Sequence, residues 1–186
     1  MNNKIWTGTI LAVLFASTLA ISNAAQTNSI SAAAAQQTNP KPPACDAPEH
    51  RQFDFWVGEW DVYVKGKKTA HSSIQNILAG CVIFENWEPF NGGPGKSFNY
   101  YDPQVKKWRQ LWVSTRPGGA VNFVGERKGN TMMMESDSVG ADGVRRLTRM
   151  TWTDLGADKV RQLWEQSTDG GKTWTVSFDG EYRRQP

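Results

Sequence analysis

The 186 residues carry 21 Lys and Arg against 18 Asp and Glu, a net charge of +3. A balance this near neutrality, with basic residues grouped only as Lys106-Lys107-Trp108-Arg109 and as Arg145-Arg146 near Arg149, argues against nucleic acid as a partner.

Residues 1–24 hold one charge, Lys4, then an apolar run from Ile10 to Ile21 and the small-x-small sequence Ser22-Asn23-Ala24. That order predicts a secretory signal peptide and hence an exported protein, periplasmic or secreted. The apolar run is short for a bilayer span and no cysteine follows the cleavage point, so no membrane insertion or lipid anchor is expected after cleavage. Residues 25–44 are mostly Ala, Gln, Thr, Asn, Ser and Pro, with one charge and no aromatic ring. Such a stretch buries too little surface to offset the entropy of ordering, which predicts a disordered tether. Residues 45–186 then suit a single domain with one core. Cys45 and Cys81, an even count in a chain bound for an oxidising compartment, suggest a disulfide, against the alternative of a buried Cys81 and a free Cys45.

In Glu59 to Lys65, residues Trp60, Val62 and Val64 share one side while Glu59, Asp61, Tyr63 and Lys65 share the other. This period of two marks a half-buried strand. Similar runs follow at His71–Leu78, Cys81–Glu88, Lys96–Tyr101, Trp108–Ser114, Ala120–Glu126, Thr131–Ser138, Val144–Thr153, Lys159–Ser167 and Thr173–Arg183. Turn signals rich in Gly, Asp, Asn and Pro separate them, among them Asn91 to Gly95, which is expected at the rim of a barrel mouth. With no helical pattern between the runs, they predict an all-β fold, an antiparallel meander of about ten strands closed into a β-barrel. A two-sheet sandwich is the alternative.

Gly58-Glu59-Trp60 has the Gly-x-Trp spacing of lipocalin-like barrels. The stretches His50–Val62, Gly80–Trp87, Gly95–Asp102, Trp108–Trp112 and Val160–Trp174, in that order, resemble an exported bacterial family, the DUF1579 type, a domain of unknown function. The resemblance implies a lipocalin- or calycin-like barrel and no established reaction. A fainter similarity to nitrobindin-type haem barrels also implies ten strands. Those barrels hold iron through a late histidine, whereas the histidines here are His50 and His71, so neither haem nor another cofactor is expected. The lipocalin likeness further implies a fold-closing stack of Arg183 or Arg184 on Trp60. Ser167-Thr168-Asp169-Gly170-Gly171-Lys172-Thr173-Trp174 is similar to the Asp-box hairpin of sialidase propellers. One copy cannot build a propeller, so a structural role is expected, with Asp169 accepting turn hydrogen bonds and Trp174 packing beneath.

No close His/Cys pair has zinc-finger spacing, so no metal site is expected, and no serine sits in a nucleophile elbow. Glu85 and Glu165 are carboxylates of the kind acid–base chemistry uses, though sequence does not set their separation. The more informative signal is aromatic. Arg-Gln-Leu-Trp occurs twice, at 109–112 and 161–164, and polar residues share a β-face with tryptophans: Glu85 with Trp87, Gln110 with Trp108 and Trp112, Gln162 with Trp164. Pointing inward, these seven would wall a pocket for a small molecule; pointing outward, they would form strips for a carbohydrate or a protein. The expected function is therefore an exported barrel that holds a small apolar or aromatic ligand without transforming it. The alternatives are a surface binder using tryptophan strips and a hydrolase or isomerase using an interior carboxylate.

Overall fold

Hairpins set the architecture: each strand returns beside the one before it, and the last closes on the first. The computed structural model describes residues 45–186 apart from 117, 118 and 157. Its strands are β1 (Gly58–Val64), β2 (Lys67–Ile77), β3 (Val82–Pro89), β4 (Gly95–Asp102), β5 (Lys107–Ser114), β6 (Ala120–Lys128), β7 (Thr131–Val139), β8 (Arg145–Gly156), β9 (Lys159–Ser167) and β10 (Thr175–Arg184). They form one closed antiparallel barrel in chain order, β1 pairing with β10 through Trp60↔Arg184 to Tyr63↔Glu181. Closure removes the sandwich alternative, because a sandwich would leave β1 and β10 as edges. The signal peptide and tether expected over residues 1–44 lie outside the described residues.

Two expectations are corrected. The sequence shows no helical pattern, yet among the described residues three short 3-10 turns occur, at Pro48–Arg51, Asp54–Trp56 and Leu78–Gly80. Phe53 and Trp56 are three residues apart, so one tight turn faces both rings inward, where an extended strand would send them to opposite sides. β2 also begins earlier than His71, because Lys67 and Lys68 pair with Val64 and Tyr63 around the Lys65-Gly66 turn.

Residues 45–57 cover the lower end of the barrel. Phe53 stacks on Trp56 at 5.0 Å and meets Trp108 and Trp152 edge-on at 5.6 and 5.1 Å. These rings, with Trp60, Met132 and Ile83, are essentially sealed from solvent. The Cys45–Cys81 disulfide fastens the start of this plug to the turn before β3. Trp108 Nε1 donates to Gln52 Oε1 at 3.1 Å and Arg127 Nη1 to Gln52 O, so both the side-chain and the peptide oxygen of Gln52 are met from the barrel wall.

Of the two candidate closing arginines, Arg184 stacks on Trp60 at 4.3 Å, and Arg183 lies outside over Tyr63. Arg184 also donates to Asp158 and to Val57 O. Gly58 permits this: its φ is +147°, and a Cβ there would collide with Arg184 Nη1. In the 167–174 hairpin Asp169 accepts from the backbone N–H of Lys172 and Thr173 and from the Thr173 hydroxyl, while Trp174 Nε1 donates to Gly171 O. Arg149 lies over the Trp174 ring at 4.1 Å, fixing the motif to the outer wall.

Candidate functional site: the upper barrel cavity

Strand alternation places the site. On β3 the inward residues are Ile83, Glu85 and Trp87; on β5 they are Trp108, Gln110 and Trp112; on β9 they are Val160, Gln162 and Trp164. All seven expected site residues therefore face the interior, and Trp87, Trp108, Trp112 and Trp164 form no outward strip. Register then sets height. Trp112 sits level with Glu85 through Ser97, and Trp164 sits level with Phe178 and Met150. Trp108 stands lower, within the plugged end.

A buried polar belt crosses the middle of the barrel. Ser97 Oγ donates to Glu85 Oε2 at 2.9 Å and Ser72 Oγ to Oε1 at 3.3 Å. Asn99 Nδ2 donates to Ser97 Oγ at 2.9 Å, and Gln110 Nε2 donates to Asn99 Oδ1 at 2.8 Å. Across the interior the Tyr182 hydroxyl donates to Gln162 Oε1, whose Nε2 reaches Met150 Sδ at 3.1 Å.

Glu85 is 2% exposed, and loss of hydration raises its pKa to about 7 despite the two hydroxyl bonds that favour the charged form. Burial, reinforced by the nearby Glu85 charge, holds the Tyr182 phenol well above its usual range. Ser72, Ser97, Asn99 and Tyr182 were not singled out from sequence. Their signal was parity: each polar group shares its strand's inward face with residues such as Ala70, Ile74, Gly95 and Gly180.

Above the belt the described residues leave a cavity of about 1190 Å³, part of it beyond the barrel wall, whose inner wall is Trp87, Trp112, Trp164, Phe178, Val121 and Met150. Gly95 makes room for one wall, since a Cβ there would run into the Trp112 ring. Two buried polar atoms, Gln110 Oε1 and Trp164 Nε1, have no partner. Five other such atoms lie in the plug and the packed end, on His50, Arg51, Asp54, Trp56 and Trp152, so Gln110 Oε1 and Trp164 Nε1 are set apart by their place on residues that line the cavity.

The wall itself is split on one side. β6 and β7 pair only from Val124↔Glu135 to Lys128↔Thr131, so Ala120–Phe123 and Ser136–Val139 diverge toward the mouth. The cavity lining there includes both inward and outward residues, Val121 with Asn122 and Ser136 with Asp137, so the cavity runs through the wall at this seam.

A second groove of about 640 Å³ lies on the outer wall beside β1 and β10. Four of its charged side chains are already paired, Arg161 with Asp179 and Arg183 with Glu181. Cys45 and Cys81 are bonded to each other and unavailable as metal ligands, and among the described residues no three His, Cys, Asp or Glu side chains gather into a metal-binding group.

Fold and site together define a closed ten-stranded meander barrel with an aromatic-rich interior, packed below and hollow above. No family model and no curated protein matches the chain.

Proposed function

We propose that the protein is an exported binding protein that holds a small apolar or aromatic molecule in the upper barrel without transforming it. The observation that carries this reading is the 1190 Å³ cavity with three tryptophans in its wall and two unpartnered polar atoms, Gln110 Oε1 and Trp164 Nε1. Apolar walls with a few convergent polar groups are the usual make-up of a small-molecule site. Export is supported by the pattern of residues 1–24 and by the disulfide, which persists in oxidising compartments. Membership of the DUF1579-type family is proposed on the ordered motifs from His50 to Trp174 alone.

Native mass spectrometry of protein taken from its producing cells, before and after unfolding, tests the reading. A co-purifying small mass released on unfolding supports it. Failure to retain any mass from cell extract, together with failure to bind the neutral dye N-phenyl-1-naphthylamine, overturns it.

One observation favours a second reading. Glu85, with a pKa near 7 inside a cavity, is the protonation state a general acid or base needs. Comparing metabolite extracts incubated with the native protein and with Glu85→Gln decides: a compound consumed only by the native protein establishes chemistry, and identical extracts remove it.

A further inference from the structure

We propose that the ligand of the upper cavity is an organic cation, a protonated amine on a flat aromatic body, seated with its ammonium group between Glu85 and Gln110 and its rings against the tryptophans. The inference rests on the binding reading above and narrows it to one chemical class.

The first argument is charge. The ionisable residues lining the cavity divide by depth. Arg116 and Arg146 stand at the mouth, Arg146 already paired with Asp142, while Glu135 and Asp137 are exposed at the β6–β7 seam. Deep inside, the ionisable groups of the lining are Glu85 on β3 and Tyr182 on β10, and the buried inward faces of β2, β4 and β5 carry no titratable side chain. Among the described residues no cation lies there to pair with the carboxylate. An anionic ligand at that depth would meet Glu85 as a like charge; a cation would supply the partner that the fold omits.

The second argument is hydrogen-bond inventory. An ionised carboxylate has about four acceptor positions, and the hydroxyls of Ser72 and Ser97 occupy two. Gln110 Oε1, on a side chain 2% exposed, is a further acceptor with no partner. Among the sealed atoms of the lining, Trp164 Nε1 is the unpartnered donor and Gln110 Oε1 the unpartnered acceptor, and the acceptor is the one on Glu85's side of the barrel. An ammonium group carries three donors and no acceptor, which matches the acceptors on that side.

The third argument is the wall. Indole faces carry the negative side of the ring quadrupole and attract cations. Trp112 is level with Glu85 across Ser97, and Trp87 is two residues further up β3 on the same face. A buried carboxylate with one indole across from it and another above it forms a receptor for a cation attached to an aromatic body.

Isothermal titration calorimetry on the full protein with three compounds that differ in one group tests the assignment: 1-naphthylmethylamine, 1-naphthylmethanol and 1-naphthylacetate. The amine is expected to bind at least about tenfold tighter than the alcohol and the acid, the scale of one charge-assisted hydrogen bond. Its affinity is expected to rise between about pH 5.5 and 8, with release of a proton to buffer at the lower pH, because only ionised Glu85 pairs with the ammonium. In Glu85→Gln, shown to be folded by circular dichroism and melting, the preference for amine over alcohol disappears.

Equal affinity of amine and alcohol, or a preference that survives in Glu85→Gln, overturns the cation assignment while leaving cavity binding in place. Proton release by the native protein decides the matter independently if the variant is misfolded. Failure of all three compounds and of N-phenyl-1-naphthylamine overturns the binding reading as well.

Discussion

At the plugged end the interior is filled by Phe53, Trp56, Trp60, Trp108 and Trp152, all essentially sealed; at the other end the same strands leave a cavity of about 1190 Å³ that runs out through the β6–β7 seam. The two halves use the same alternation and both present indoles inward. What differs is the source of the filling. The lower half receives a plug from outside the strands, residues 45–57, which brings Phe53 and Trp56 under the barrel floor. Among the described residues no such plug enters the upper half, and its inward face includes small side chains such as Gly95, Ser97, Ser136 and Gly180. A ten-stranded barrel is wider than its own side chains can fill, so a cavity is what remains where no plug enters.

Truncation should separate the halves most strongly. Phe53→Ala removes a ring that touches Trp56, Trp108 and Trp152 at once, in a place with no solvent to fill the hole. The expected loss is about 3–5 kcal/mol in denaturant unfolding. Replacing both Cys45 and Cys81 by serine frees the plug's end, and on the chain-entropy account costs up to about 4 kcal/mol. If either change left stability untouched, the plug would not be what closes the lower half.

The belt between the halves makes a pH prediction. Glu85 ionises near its ordinary value of 4.5 when the chain is unfolded and at about 7 when folded. Between those values the folded protein binds more protons than the unfolded chain, so stability falls as pH rises. The Glu85 contribution is complete below 4.5 and lost above 7, a swing of about 3 kcal/mol. Glu85→Gln should show no such swing and should exceed the native protein in stability at about pH 8. Parallel urea titrations at several pH values would reveal it, and superimposable curves would mean that Glu85 is hydrated in the folded state.

Much of this fold was legible because period-two alternation and turn residues are local. Trp60, Val62 and Val64 against Asp61 and Tyr63 fix the faces of β1 without reference to any other strand. The plug was not legible: Phe53-Asp54-Phe55-Trp56 alternates well enough to pass for a strand, and only the contact with Trp108 and Trp152, distant in sequence, draws it into a 3-10 turn. The site divides similarly. Glu85, Trp87, Gln110, Trp112, Gln162 and Trp164 share a face by parity, so their inward direction follows once any inward residue of each strand is known. Height is a matter of register. Nothing within Trp108-Arg109-Gln110-Leu111-Trp112 says that Trp108 belongs to the packed end and Trp112 to the hollow one. The polar belt needed register too, because Ser72 and Ser97 meet Glu85, and Tyr182 meets Gln162, only across strand pairings.

Trp112→Ala gives the smallest stability effect and completes the contrast with Phe53. Its indole borders an existing void, so removing it deletes contacts with the wall but creates little new cavity. The expected cost is about 1–2 kcal/mol, at the low end for an aromatic truncation because the separate cavity penalty is small. Binding should respond in the opposite proportion. Loss of the ring removes apolar surface from the pocket wall level with Glu85, and N-phenyl-1-naphthylamine fluorescence should fall steeply in this variant. A protein that unfolds as easily as Phe53→Ala while still binding the dye would show that Trp112 belongs to the load the core carries, and would place the division between the halves higher in the barrel than the Glu85 belt.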